Sequence, residues 1–224
     1  MWFKFVGILF GVAMRTKKPL ALPIAPIIWK LIVGEPVSIE DLEDVDCMYV
    51  QSLRSIRDIH LSGVTEANFL EVIPLESFEG TSCTGKTVPI VPGGRSIALT
   101  FSNRSQYFEK AVKFRLQEFN LQVAAIREGM AGIIPVPLLS LVTAEHMEQL
   151  ICGMSHISIT LLKKIVRYRE LDENHQELDE NHQLVQWLWN ILESFTDAER
   201  VLFMRFVSGR SRLPSNLLRE LHRR

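Results

Sequence analysis

The chain has 224 residues, 47% of them hydrophobic and 23% charged, with a formal net charge of −1. That composition suits one large domain or two small ones and excludes an intrinsically disordered chain. The near-zero charge excludes a bulk attraction to nucleic acid or to an anionic membrane surface, so neither is expected as a partner.

The first stretch, "MWFKFVGILFGVAMRTKK", carries an apolar run from Phe5 to Met14. It is too short to span a bilayer, and basic residues rather than a small-residue cleavage site follow it. A packed helix is the reading, with Gly7 and Gly11 one turn apart to admit a close neighbour. "ALPIAPIIWKLIVG" predicts a helix stopped at Gly34. Ser38 with Asp41 forms a capping-box variant for the next helix, and "YVQSLRSI" forms another. Thr65 is expected to cap "EANFLEVI". Prolines and glycines then break any helix over 74–98, and "VPIV" and "SIALTF" around Pro92-Gly93-Gly94 read as a β-hairpin.

From Ser105 to Gly129 a helical period returns, with Tyr107, Ala111, Phe114, Phe119, Val123 and Ile126 recurring at spacings of three to five. "IIPVPLL" interrupts it. Thr143 caps "AEHMEQLICG", which stops at Gly153, and "LLKKIVRYR" is a further helix. Leu184, Trp187, Leu188, Ile191, Leu192 and Phe195 form an apolar stripe. Thr196 with Glu199 is a capping box for "DAERVLFMRF", ended by Ser208-Gly209. The fold class is α+β, mostly helical with a small β element.

Two motifs invite a chemical reading. "GTSCTGKT", Gly80 to Thr87, matches the phosphate-loop pattern in full. That loop works only between a buried strand and a helix N-terminus, whose amides hold the phosphates. Here Pro89 and Pro92 follow, so no helix is expected and nucleotide binding is set aside. "ELDENHQ" occurs twice in succession, at 170–176 and 177–183. His175 and His182 would lie about two helical turns apart, too far to share one ion. A solvated acidic connector is the expectation, with no metal site and no cofactor. Cys47, Cys83 and Cys152 offer neither a disulfide framework nor a CxxC pair, and a reducing, cytoplasmic setting is expected. The arginine-rich end, "RSRLPSNLLRELHRR", has no interleaved aromatic platform for nucleic acid.

Taken in order, several stretches resemble the HECT domain of ubiquitin-protein ligases: "FVGILFGVAMRTKKPLALPIAPIIWKLIVG", "SIEDLEDVDCMYVQSL", "VPGGRSIALTFSNRSQYF", "QVAAIREGMAGIIP", "HMEQLICGMSHISITLLKKIVRYR" and "HQLVQWLWNILESFTDAERVLFMRFVSGRSRLP". The resemblance covers residues 3 to 214, and "VPIVPGG" and "MRFVSGRSRLP" are most similar to the large HERC-type ligases. It implies a mostly helical N-lobe over 1–168, with a subdomain at about 58–130 that docks a ubiquitin-conjugating enzyme. It implies an inter-lobe hinge at 169–183, lengthened by the repeat, the first two helices of a C-lobe at 184–213, and a divergent tail at 214–224.

The family reaction needs a thiolate that accepts ubiquitin as a thioester. The family's catalytic loop would lie past "SRLP", and none of the three cysteines is followed by Phe. The expectation is therefore a homologue truncated at both ends, without a catalytic residue and inactive as a ligase. The alternatives are a non-catalytic docking or competitor protein, and a remnant with no activity. The residues implied for conjugating-enzyme contact are Ile126 and Met130, and for weak ubiquitin contact Tyr49 and Val50. The helices beyond residue 184 are expected either to dock on residues 1–168 or to expose an apolar patch.

Overall fold

Capping residues set several of the helix boundaries in the computed structural model, which describes residues 1–168 and 179–213. In chain order the α-helices are α1 Trp2–Thr16, α2 Pro26–Val33, α3 Ile39–Glu43, α4 Cys47–Arg57, α5 Phe69–Val72 and α6 Arg104–Gln117. They continue with α7 Asn120–Ala131, α8 Ala144–Cys152, α9 Ile159–Ile165, α10 Gln183–Ser194 and α11 Asp197–Ser208. A two-stranded antiparallel sheet pairs β1, Glu79–Thr81, with β2, Thr87–Pro89, placing Gly80 opposite Val88. The architecture is mostly helical α+β. Among the described residues no helix is long and apolar enough to cross a membrane.

The chain divides into two compact units. One is Ile24–Ala125 and the other joins Met1–Pro23 to Ile126–Arg224. In the first, the Ser38 and Asp41 side chains complete a reciprocal capping box at the start of α3. Lys30 pairs with Asp41 at 2.6 Å, tying α2 to that box. Asp46 caps α4 by accepting a hydrogen bond from Tyr49 N. The core of this unit gathers Leu53, Phe69, Phe78, Leu99, Tyr107 and Ala111.

Three expectations here are corrected. Thr65 does not begin a long helix: its N–H donates to Asn68 Oδ1, and α5 that follows is a single turn. The hairpin lies before Pro92, not around it. Its turn is Ser82–Lys86, closed by Gly85 N on Ser82 O and Ser82 N on Lys86 O, both 2.9 Å. Pro92-Gly93-Gly94 instead leads into a 3₁₀ turn tucked beneath β1, where a Cβ on Gly94 would lie 2.4 Å from Phe78 O. The phosphate-loop look-alike is thus the tip of a hairpin with a strand, not a helix, behind it. Finally, the helical period over 105–129 conceals a break. Gln117 ends α6 and Asn120 begins α7, and the five-residue step from Phe114 to Phe119 spans it.

In the other unit α1 and α7 cross closely. A Cβ on Gly7 would lie 1.9 Å from Ile126 O, and one on Gly129 would lie 2.0 Å from Lys4 O. Only glycine permits that approach, which is the role anticipated for Gly7. Thr143 caps α8, accepting from His146 N, and Gly153 ends it at φ 83°. The ninth helix starts earlier and ends earlier than the pattern suggested, running from the Ser158 cap only to Ile165. Thr196 and Glu199 form the expected capping box at α11.

The apolar stripe assigned to α10 is corrected as well. Val185, Trp189 and Leu192 form its buried face, packed with Ile157, Leu162 and Leu213. Leu184, Trp187, Leu188 and Ile191 of the expected stripe are exposed. The helix is apolar around most of its surface, so periodicity does not single out one face. Both anticipated outcomes therefore hold at once: one face docks and the other stays in water. Of the repeated heptapeptide, Glu170–Gln176 and the start of the second copy lie outside the described residues. His182 of the second copy caps α10, its Nδ1 accepting from Leu184 N at 3.3 Å.

Candidate functional site

Along α6, Tyr107, Ala111 and Arg115 follow one another at four-residue spacing, all buried. A guanidinium at a core position must be paired and hydrogen-bonded to offset its lost hydration. Arg115 meets that demand from two directions. Its Nη1 donates to Glu118 Oε2 at 2.7 Å and its Nη2 to Asp46 Oδ2 at 2.6 Å. Its guanidinium carbon lies 4.7 Å from the centre of the Tyr49 ring, a cation–π contact. The Glu118 carboxylate also accepts from Cys83 N, at 2.9 and 3.1 Å, and so holds the hairpin tip. One buried cation thereby joins the start of α4, the end of α6 and the β1–β2 turn.

The electrostatics follow from that geometry. Burial alone would raise the Glu118 carboxyl, but the Cys83 hydrogen bonds and the Arg115 cation outweigh it and hold the group below the usual carboxylate range. Burial pushes the Tyr107 hydroxyl up to about 12, and that hydroxyl donates to Glu79 O at 2.8 Å. Burial pushes Tyr49 up too; its hydroxyl donates to Ala111 O. Both tyrosines are therefore neutral hydrogen-bond donors that pin α6 to β1 and α4 to α6.

The three thiols occupy different settings. Cys152 is fully buried on α8 and its thiol is pushed up by burial. Cys83 is exposed at the hairpin tip, and partial burial with the Glu118 carboxylate pushes it up. Cys47 is exposed at the first position of α4, and its Sγ accepts from Gln51 Nε2 at 3.1 Å. Among the described residues no three His, Cys, Asp or Glu side chains gather to hold a metal.

Of the four residues singled out for partner contact, Tyr49 alone reaches the surface, and only in part. Val50 and Met130 are completely buried and Ile126 is 6% exposed. Tyr49 and Val50 lie on α4, whereas Ile126 and Met130 lie on α7. Sequence reasoning did not find the Asp46–Arg115–Glu118 cluster. The Arg115–Glu118 step of three was a readable helical pair, but Asp46 stands 69 residues away.

Comparison with known proteins gives the class. A model of the HECT domain, the ubiquitin-transferase domain, matches residues 1–223, and the chain belongs to the HECT-domain family. Among individual relatives, the E3 ubiquitin-protein ligase HERC2 of Mus musculus is 40% identical over 215 residues, 96% of this chain and 4% of that protein. HERC2 of Homo sapiens is 39% identical over the same shares. The E3 ubiquitin-protein ligase pub1 of Schizosaccharomyces pombe is 28% identical over 98% of this chain and 27% of its own length. The chain thus spans a small fraction of the relatives that it matches.

Proposed function

We propose that this chain serves ubiquitin transfer as a docking module for a ubiquitin-conjugating enzyme, touches ubiquitin itself weakly, and forms no ubiquitin thioester of its own. The observation that supports it most is the state of the thiols within a HECT-family chain. A thioester acceptor must be an accessible thiolate. Cys152 is buried, and Cys83 is pushed away from ionisation by partial burial and by the carboxylate that anchors its own loop, while the exposed Cys47 lies at the start of α4, followed by Met48 rather than Phe. Docking asks for less: a rigid surface on the Ile24–Ala125 unit, which the Arg115 cluster stiffens. On this reading Tyr49 stands at the edge of the ubiquitin contact, with Val50 beneath it as support. Ile126 and Met130, buried on α7, give that helix its packing.

Isothermal titration of the chain with a panel of ubiquitin-conjugating enzymes, each with and without ubiquitin attached, tests the docking half. Saturable binding to at least one member, weakened by Tyr49→Ala only when the enzyme carries ubiquitin, is the expected result. Absence of binding across the panel contradicts it.

A further inference from the structure

The Ile24–Ala125 unit has a cleft of about 280 Å³ between the segment after β2 and the outer face of α6. Ile90, Val91 and Pro92 form one wall, and Phe114 lies opposite, with Lys110 and Lys113 beside it. The volume falls just below the roughly 300–1,000 Å³ of small-molecule sites, which suits one or two side chains of a peptide rather than a cofactor.

Charge decides which peptide. Lys110 and Lys113 lie three apart on α6, so they share a helix face with their Cβ atoms about 5–6 Å apart. Neither forms an ion pair with any described residue. The carboxylate that also lines the cleft, Glu118, is taken up by Arg115 and Cys83 N. The cleft therefore offers an apolar floor and two uncompensated ammonium groups on one edge. Alternate residues of an extended chain lie about 6.6 Å apart on one side, close to the lysine spacing.

We propose that this cleft docks an acidic peptide segment, extended, with one large apolar side chain on Ile90, Pro92 and Phe114 and carboxylates on Lys110 and Lys113. The apolar contact supplies burial, and the lysines select the sign of the partner and its register. The proposal is independent of thioester chemistry and of conjugating-enzyme docking.

The test uses the whole chain and a fluorescein-labelled peptide of sequence Phe-Asp-Asp-Asp-Asp, whose first, third and fifth side chains share one side when extended, read by fluorescence anisotropy and by amide chemical shifts. The expected result is saturable binding with shifts centred on residues 90–92 and 110–117. Lys110→Glu with Lys113→Glu should weaken it by at least about tenfold, and replacing the peptide's Phe by Ala should weaken it comparably. Circular dichroism of the double variant confirms that it is folded, and the milder Lys110→Ala with Lys113→Ala repeats the test if it is not. Unchanged affinity in the lysine variants, equal binding of the Ala peptide, or shifts mapping elsewhere would each overturn the proposal. So would equally tight binding of heparin, which would mark a general polyanion surface. Concentration-dependent self-association that the lysine variants abolish would overturn it in favour of a second copy of the chain.

Discussion

Arg115 puts a permanent positive charge on the buried stripe of α6, and Asp46 and Glu118 carry the burden of keeping it there. Removing one partner of a buried pair costs about 3–5 kcal/mol because the other charge is left uncompensated. Arg115→Ala should therefore destabilise the protein by about that much in urea denaturation, far more than a surface arginine variant. Glu118 gives the pH signature. Its carboxyl is held below its unfolded value of 4.5, so its contribution is present above that pH. The contribution is lost as pH falls through the lowered folded value. Thermal melts taken downward from pH 7 should show stability falling below about pH 4.5 in the parent, with a shallower fall in Glu118→Gln. Equal slopes would remove Glu118 from the account. The Arg115–Glu118 half of this cluster was legible as a helical pair, but Asp46 was not, because a contact across 69 residues leaves no local pattern.

Elements were legible where the chain decides locally. Ser38 with Asp41, Thr143, and Thr196 with Glu199 each begin the helix assigned to them, because a cap needs only its own next three residues. The hairpin was misplaced because two turn-forming stretches compete within 74–98. Gly85 closes the strand pair, while Gly93 and Gly94 make a 3₁₀ turn under it. The face of α10 was misread because Leu184, Trp187, Leu188 and Ile191 are as apolar as Val185, Trp189 and Leu192. Tertiary partners decide which set is buried. Trp189 is 6% exposed, donates to the Tyr168 hydroxyl at 2.9 Å, and packs in the cluster around Leu162. Trp187 is 55% exposed. Trp189→Ala should cost about 3–5 kcal/mol and Trp187→Ala no more than about 0.5 kcal/mol. Chemical denaturation of the two variants checks this, and the reverse order would return α10 to its expected stripe.

For the whole molecule, family membership was the most legible feature, because stretches such as "SIEDLEDVDCMYVQSL" and "HMEQLICGMSHISITLLKKIVRYR" run through both units in order. Partner contacts were less legible. Val50, Ile126 and Met130 were contact positions implied by the family resemblance, yet the fold buries all three. Burial depends on which helices meet, and a single sequence does not state that. The chain belongs to the HECT family, and the proposal is that it holds a conjugating enzyme without accepting its ubiquitin. The most direct measurement is single-turnover incubation of the chain with a ubiquitin-charged conjugating enzyme, resolved on non-reducing and reducing gels. The account predicts no reductant-sensitive adduct on the chain. An adduct that disappears with reductant and with Cys47→Ser or Cys83→Ser would contradict it.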